Sequence, residues 1–360
     1  MNFITFNEEK LRTFTHSVFI KMGCSEEHAA LAADVLIKSD LRGIDSHGVA
    51  RLSGYVRLWE KKRINATPNI KIVHETPTTA TIDGDAGLGL VIAPFAMRVA
   101  IEKAEKYGSG WVSVKNSNHF GIAGYHSLLA VEKDMIGISM TNASPLVAPT
   151  YANERLLGTN PMCYGFPAGK YPPVIVDMAT AAAANGKLEI AQRANKDVPE
   201  GWIQNAAGSS SINPNELKSG GSLLPLGSDK DHGSHKGYGL SATVDILSAV
   251  LSGANYGPWV PPFVAFLEPS ANPVGEGLGH FFGAMRVDGF RPAQDFKDHL
   301  DNWIERFKSA KTVDPDKKVI IPGEPEYDFE QERKVSGIPI IDVVVNDLNE
   351  LAAKLEIEGL

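Results

Sequence analysis

Apolar residues return at helical spacing through residues 7–22, where Leu11, Phe14, Val18 and the run Ile20–Met22 share a face. Ser25 follows as an N-cap. Glu26 and Glu27 put negative charge in the first turn of the next helix, HAALAADVLIKSDLRG, where the helix dipole favours it. A third helical pattern, VARLSGYVRLWEKKR, completes a small helical lobe over about the first 65 residues. The pattern then shortens. NIKIVHE and TTATIDG read as a strand pair joined by Pro-Thr-Thr. LVIAPFAMRVAIEKAEKYG is the best core helix, with Gly108 placed to end it. WVSVKN, IGISMTNA, VIVDMAT and HFFGAMRVDG read as strands, HSLLAVEKDM as a helix and GYGLSATVDILSAVLSG as a second buried helix. AQDFKDHLDNWIERFKSAK and IDVVVNDLNELAAKLEIEG return the chain to helix. Two long segments, 194–233 and 255–279, are rich in turn-forming residues; loops of that length serve active sites or interfaces more often than they idle. The alternation predicts a mixed α+β fold without internal repeats.

Composition narrows the function. The 360 residues suggest about two domains. A hydrophobic share of 43% and a charged share of 22% are those of a globular protein. The net charge of −8 argues against nucleic acid or an anionic membrane as the main partner. Two cysteines, Cys24 and Cys163, give no disulfide framework and point to a reducing compartment. The first residues show no secretory pattern, and no apolar run is long enough to span a bilayer, so the cytoplasm is expected.

Candidate chemistry gathers at four places. In DSHGVARL, a helix over 45–52 puts His47 and Arg51 on one face. A neighbouring cation lowers an imidazole's pKa, and neutral imidazole accepts a proton; the guanidinium fork matches a carboxylate. The pair suits a hydroxy acid or keto acid, and a chance pair on a surface helix fits the same spacing. In NSNHFG, His119 stands at the end of the strand WVSVK, where ligands gather; a cap formed by Ser117 or Asn118 is the alternative. NASPLVAPTYANERLLGTNPMCYGFP forces turns between short apolar pieces, whose amides can bind phosphate or amide groups, while Cys163 reads as core. In LGSDKDHGSHKGYGL, Lys236 stands at a helix mouth suited to pyrophosphate, or is a solvated loop lysine. His119 and His126, seven apart with no cysteine near, make a poor zinc site, as do His232 and His235; no metal is expected. DGDAGLGLVIA places Gly87 and Gly89 between strand and helix, but Ile92 replaces the third glycine of a Rossmann fingerprint, so a plain strand-to-helix turn is preferred.

The ordered motifs DLRGIDSHGVARL, NSNHFGIAGY, MTNASPLVAPT, LGTNPMCYGFP, VDMAT, PEGW and HKGYGL…DILSAVLSGA run from near residue 40 to past residue 250. Together they resemble the malate/L-lactate dehydrogenases of the second, non-Rossmann type. That family includes ureidoglycolate and sulfolactate dehydrogenases, diketogulonate reductases and imine-acid reductases. The resemblance covers essentially the whole chain. It implies a homodimer in which residues 1–75, joined by C-terminal helices of 310–360, form a helical lobe. Residues 76–309 would form an α+β domain whose largely antiparallel, non-Rossmann sheet binds NAD, with NADP possible. It assigns proton transfer to His47 and His119, support of His47 to Ser46 and Arg51, and the substrate carboxylate to Arg51. Asn142, Thr159 and Asn160 are placed near nicotinamide and substrate, and Asp177, Met178, Ala179, His235, Lys236, Gly323 and Glu324 along the cofactor. The chain departs from many members after DMAT, where Ala181 and Ala184-Asn185-Gly186-Lys187 replace a serine and a Trp-Gly-Lys run. The expected reaction is hydride transfer from a 2-hydroxy acid, with malate to oxaloacetate first. Lactate, sulfolactate, ureidoglycolate, an imine or sugar acid, or an inactive ligand-binding homologue are the alternatives.

Overall fold

The computed structural model describes residues 2–193 and 195–360. Strand β1 (Phe3–Phe6) leads into α1 (Glu8–Lys21) and α2 (Glu26–Leu41). Each helix starts where a side chain satisfies a free amide: Asn7 accepts from the Glu9 N–H at 2.7 Å and Ser25 from the His28 N–H at 3.2 Å. Leu11, Phe14 and Val18 of α1 share one core with Ala29, Ala32, Val35 and Leu36 of α2. The third helix, α3 (Leu52–Glu60), begins only after two separate 3-10 turns, Asp45–His47 and Val49–Arg51. The single helix over 45–52 is therefore not formed.

A seven-stranded sheet follows. Strands β2 (Lys71–Glu75) and β3 (Thr79–Asp83) pair antiparallel. Helix α4 (Gly89–Tyr107) then crosses over to β4 (Ser109–Ser117), which lies parallel to β3. Gly108 ends α4 with a left-handed φ of 91°. Next come α5 (Ala123–Val131), β5 (Met135–Thr141), β6 (Met162–Phe166), β7 (Val174–Met178) and α6 (Asn185–Arg193). The segment read as one long loop carries a small sheet of β8 (Ile203–Gln204), β9 (Ser210–Ser211) and β10 (Ser222–Leu223). After α7 (Ser234–Asp245), strand β11 (Leu278–Arg286) inserts between β4 and β5, giving the order β2-β3-β4-β11-β5-β6-β7. Every pairing in that sheet except β3 with β4 is antiparallel. One face of it is sealed by α4, where Ala93, Ala96, Met97 and Ala100 join Val112, Val114, Phe282 and Ala284 in a second core.

The chain closes with α8 (Ala293–Lys308), α9 (Glu324–Ser336), β12 (Ile338–Ile341) and α10 (Asp342–Leu355). Strand β12 pairs antiparallel with β1, and Val345, Leu348 and Leu351 of α10 enter the core of α1 and α2. The sequence pattern misses β1, β6, β12, α6 and α9. It also overstates the burial of GYGLSATVDILSAVLSG. Val244 and Ala249 are buried against the sheet, but Tyr238, Leu240, Ile246, Val250 and Leu251 are exposed. The helix is covered on one side only, which an all-round apolar pattern cannot reveal.

One close approach ties the sheet to the crossover helix. At Gly89 a Cβ would sit 2.1 Å from the Asn118 carbonyl oxygen and 2.6 Å from that of His119. Backbone atoms cannot swing aside as a flexible side chain can. Gly89→Ala is expected to cost about 1–3 kcal/mol, read as a lower urea midpoint with an unchanged slope. A wild-type midpoint would show that the 118–119 segment gives way freely.

Candidate active site

The turn carrying His47 is shaped by a buried acid. Gly48 separates the two 3-10 turns with ψ −142°, and a Cβ there would lie 1.9 Å from Asp40 Oδ1. The other carboxylate oxygen of Asp40 accepts the Val49 N–H at 2.8 Å. Asp45, at the start of the turn, pairs with Arg333 of α9 at 2.5 Å. Within the turn, the Ser46 hydroxyl lies 2.9 Å from His47 Nδ1, and Arg51 Nε donates to the Ser46 carbonyl at 2.5 Å. His47 and Arg51 thus come together through a bend and a backbone clamp rather than along one helix face.

His119 arrives from the sheet. Beyond β4 the chain passes over the N-terminus of α4, and Asn118 Nδ2 holds it by donating to the Ala86 and Gly87 carbonyls, each at 2.9 Å. Phe120 turns into the core between His126 and His280, with ring centroids 4.7 and 4.9 Å away. Its neighbour His119 turns the opposite way, against Tyr55 of α3 and Phe263 of the 255–279 loop. Tyr55 Oη lies 2.6 Å from His119 Nδ1, and the His119 and Phe263 centroids are 4.7 Å apart. The two candidate imidazoles stack 5.7 Å apart at 21°.

Both histidines wall a cleft of about 640 Å³. Ser46, Arg51, Thr159, Asp177, Met178, Ala179 and Gly323 of the expected residues also line it. The others stand apart. Asn142 is buried, donating to the Asn255 carbonyl at 2.7 Å and accepting from the Gly279 N–H at 3.1 Å. Asn160 is buried behind the wall, accepting from the Ala143 N–H at 3.1 Å and donating to the Ser241 carbonyl at 3.2 Å. Glu324 caps its own turn at the Ile321 N–H and pairs with Lys308. His235 and Lys236 are exposed at the start of α7, away from the cleft walls. Sequence reading missed Tyr55, Phe263 and Arg42, all at or beside the cleft. Tyr55 follows Arg51 at helical spacing, a signal that was available; nothing local marks Phe263.

Charge is arranged unevenly. Enclosure by protein, helped by the Arg51 cation, pushes His47 down to about 4. Enclosure, then His47 and Arg51, holds His119 well below the usual imidazole range. Two neutral imidazoles therefore face each other at neutral pH. At the far end, Asp177 is surrounded by protein though open to the cleft; burial raises it to about 6, partly opposed by the Gly124 N–H at 2.7 Å. Among the described residues no group of three or more His, Cys, Asp or Glu side chains is placed to hold a metal ion. No helix among them is long and apolar enough to cross a membrane. The arrangement suits moving a proton beside a bound carboxylate.

Residues 6–349 match the family described as malate/L-lactate dehydrogenase. A malate dehydrogenase of Pyrococcus abyssi is 43% identical over 360 residues, covering 100% of this chain and 97% of that protein. An L-sulfolactate dehydrogenase of Methanocaldococcus jannaschii is 39% identical over 350 residues, covering 97% and 96%. The solved structure of malate dehydrogenase from Pyrococcus horikoshii OT3 matches with a TM-score of 0.91 at 40% identity, covering 100% and 97%.

The histidines beneath the site set a pH dependence of stability. His126 and His280 have no exposed surface, and burial lowers them to about 4 and about 3. Unfolded, each titrates near about 6.5, so on acidification the unfolded chain binds protons first. Their contribution is complete above about pH 6.5 and is lost as pH falls through 4 to 3. Asp40, raised by burial, works in the opposite sense. His47 and His119 add to this fall and Asp177, raised to about 6, opposes it. The unfolding free energy read from urea curves is expected to fall between pH 6.5 and 4 by roughly one to two protons' worth, about 1.4 kcal/mol per proton per pH unit. A value that stays level or rises would mean these imidazoles are not held neutral.

Proposed function

Because the chain belongs to the malate/L-lactate dehydrogenase family, we propose that it oxidises malate to oxaloacetate, with NAD as the preferred hydride acceptor and NADP as the alternative. Membership and the named dehydrogenase relatives make it a hydroxy-acid dehydrogenase, and the family implies a nicotinamide cofactor. The observation that carries the reading is the pair of neutral imidazoles beside Arg51 in one cleft.

The residues present fit such a cofactor. About 640 Å³ lies within the usual range for ligand sites. Beyond the histidines the walls are lined by Gly121, Gly124, Ala179 and Gly186, leaving room for flat rings and sugars. Asp177 offers an acceptor for sugar hydroxyls, and Thr159, Met178 and Gly323 continue the wall. When bound, the nicotinamide accepts the hydride that leaves C2 of the hydroxy acid. The chain's own part is to grip and to move a proton. Arg51 holds the substrate carboxylate with the guanidinium nitrogens that Ser46 does not engage. A histidine takes the hydroxyl proton, and Tyr55 and Phe263 close the site behind His119. Asn142, Asn160 and Glu324 act in this reading by bracing the strands and turns that form the wall.

The same proposal covers architecture. The expected division into residues 1–75 with 310–360 and residues 76–309 needs one change, because β2 (Lys71–Glu75) pairs with β3 and belongs to the sheet. With β2 moved, the first lobe supplies His47 and Arg51 and the second supplies His119. A site assembled between lobes is set by how they pack. The exposed apolar side of α7 and the turn that continues it, Tyr238, Leu240, Ile246, Val250 and Leu251, supports a homodimer with this segment at its interface, and His235 and Lys236 at its start would serve the cofactor there. Free, buried Cys24 and Cys163 agree with a cytoplasmic setting. An L-sulfolactate dehydrogenase among the relatives makes sulfolactate the second substrate to try.

The test is absorbance at 340 nm with NAD or NADP and L-malate, L-lactate, sulfolactate or ureidoglycolate. Malate with NAD is expected to give the fastest rise; silence across the panel in both directions overturns the reading. Arg51→Lys is expected to raise KM for the acid about tenfold or more, since an ammonium has no fork; an unchanged KM would move the carboxylate elsewhere. His47→Ala and His119→Ala are each expected to lower kcat by about 10²- to 10⁴-fold. Near-normal rates in both would end the proton-transfer assignment.

A further inference from the structure

We infer that Tyr55 is a positioning residue that fixes His119 with its single ring proton on Nε2, so that His119 donates to the substrate oxygen and His47 takes the hydroxyl proton. The inference rests on the dehydrogenase reading for its chemistry and on hydrogen-bond geometry for the tautomer.

Two donors converge on His119 Nδ1. The Gly121 backbone N–H points to it at 3.4 Å, and a backbone N–H can only donate. The Tyr55 hydroxyl lies 2.6 Å from the same nitrogen. The other acceptor within its reach, the His119 carbonyl oxygen, is 3.5 Å away. The hydroxyl proton therefore goes to Nδ1, which must carry a lone pair. A neutral imidazole has one N–H, so that proton sits on Nε2. This nitrogen has no protein partner among the described residues and is the one left for the cleft.

His47 has the opposite arrangement available. Its Nδ1 lies 2.9 Å from Ser46 Oγ, a hydroxyl able to accept. With Nδ1–H given to Ser46, His47 Nε2 keeps a lone pair. The two rings are thus unlike: one offers a proton to hydrogen-bond, the other a place to put one. In the oxidation the substrate O–H bond breaks and its proton passes to His47 Nε2. The C2–H bonding pair leaves as hydride to the oxidised nicotinamide, and C2–O becomes a carbonyl. His119 Nε2–H stays bonded to nitrogen and holds that oxygen by a hydrogen bond throughout. A neutral imidazole serving as the polarising donor beside a separate base is a known division of labour.

Tyr55 permits a clean test. Its ring is fully buried, 6.2 Å from Phe19 and 5.2 Å from Phe263 by centroid, contacts that phenylalanine would keep. Tyr55→Phe therefore removes the donor and little else. The first measurement is ¹⁵N NMR of histidine-labelled full-length protein at neutral pH, with the His119 signals assigned by their loss in His119→Gln. The wild type is expected to show the Nε2–H tautomer of His119. Tyr55→Phe is expected to show a mixture, with kcat lower on the order of tenfold, KM within about twofold and a thermal midpoint lowered by no more than a few degrees, as loss of one buried hydrogen bond allows. A wild-type His119 protonated on Nδ1 overturns the inference, and so does Tyr55→Phe with wild-type tautomer and turnover. The tautomer is read without turnover. Silence in the 340 nm panel would therefore remove the dehydrogenase reading and leave the tautomer result standing.

Discussion

A carboxylate packed against a glycine holds this molecule's chemistry in place. Asp40 rises from α2 into the bend at Gly48, where any side chain would collide with its Oδ1, and its Oδ2 accepts the Val49 N–H. The bend turns His47 and Arg51 toward the same space. It is held from the outside as well, because Arg333 of α9 reaches both Asp45 and the Asp40 carbonyl, each at 2.5 Å. Helix α9 is in turn fixed to α2 through Glu330, which accepts from Lys38 at 2.8 Å, Arg42 at 3.2 Å and Lys334 at 2.7 Å. Against the penalty of its own burial, hydrogen bonds from Lys334 and Lys38 pull Glu330 down to about 2. One charged cluster between two helices therefore orients a turn that is itself too short to be rigid.

The other half of the site depends on apolar packing. The segment after β4 has no helix or strand to stiffen it. It is held by Asn118 on the α4 turn, by Phe120 between two neutral histidines, and by the absence of a side chain at Gly89. Alternation then decides direction: Phe120 points into the sheet's core, so His119 points out of it, toward Tyr55. The cation-bearing turn and the sheet-borne ring meet where α2 packs over α4 and α5, and Val35 of α2 comes so near Gly121 that a Cβ there would lie 2.8 Å from it. Two different kinds of force, ionic and hydrophobic, thus place the two rings that face each other.

Much of this was legible in the sequence, for identifiable reasons. Ser25 capped its helix and α4 spanned its apolar pattern because those signals are local and strong. His47, Arg51 and His119 stood out by residue type and setting, and the ordered motifs added Thr159, Asp177, Met178, Ala179 and Gly323, which share their cleft. The bend at Gly48 was hidden, since a glycine between helical neighbours gives no sign of a carboxylate beneath it. Phe263 was hidden because a loop of irregular backbone has no periodicity to read. The exposed side of α7 was misjudged because periodicity reports what is apolar, not what lies opposite. Strands β1 and β12 were missed for a plainer reason: each has its partner more than three hundred residues away.

That last pairing has a consequence for how the protein is made. Residues 3–6 leave the ribosome more than three hundred residues ahead of their partners at 338–341. Until residues 342–355 emerge, the apolar stripes of α1 and α2 lack the α10 side chains that complete their core. Closing a loop that spans almost the entire chain is entropically slow, and contacts of such high sequence separation delay folding. The side of the cleft that carries His47 therefore matures only once α10 has been made, on a nascent chain whose unsealed helices α1 and α2 need shielding until then.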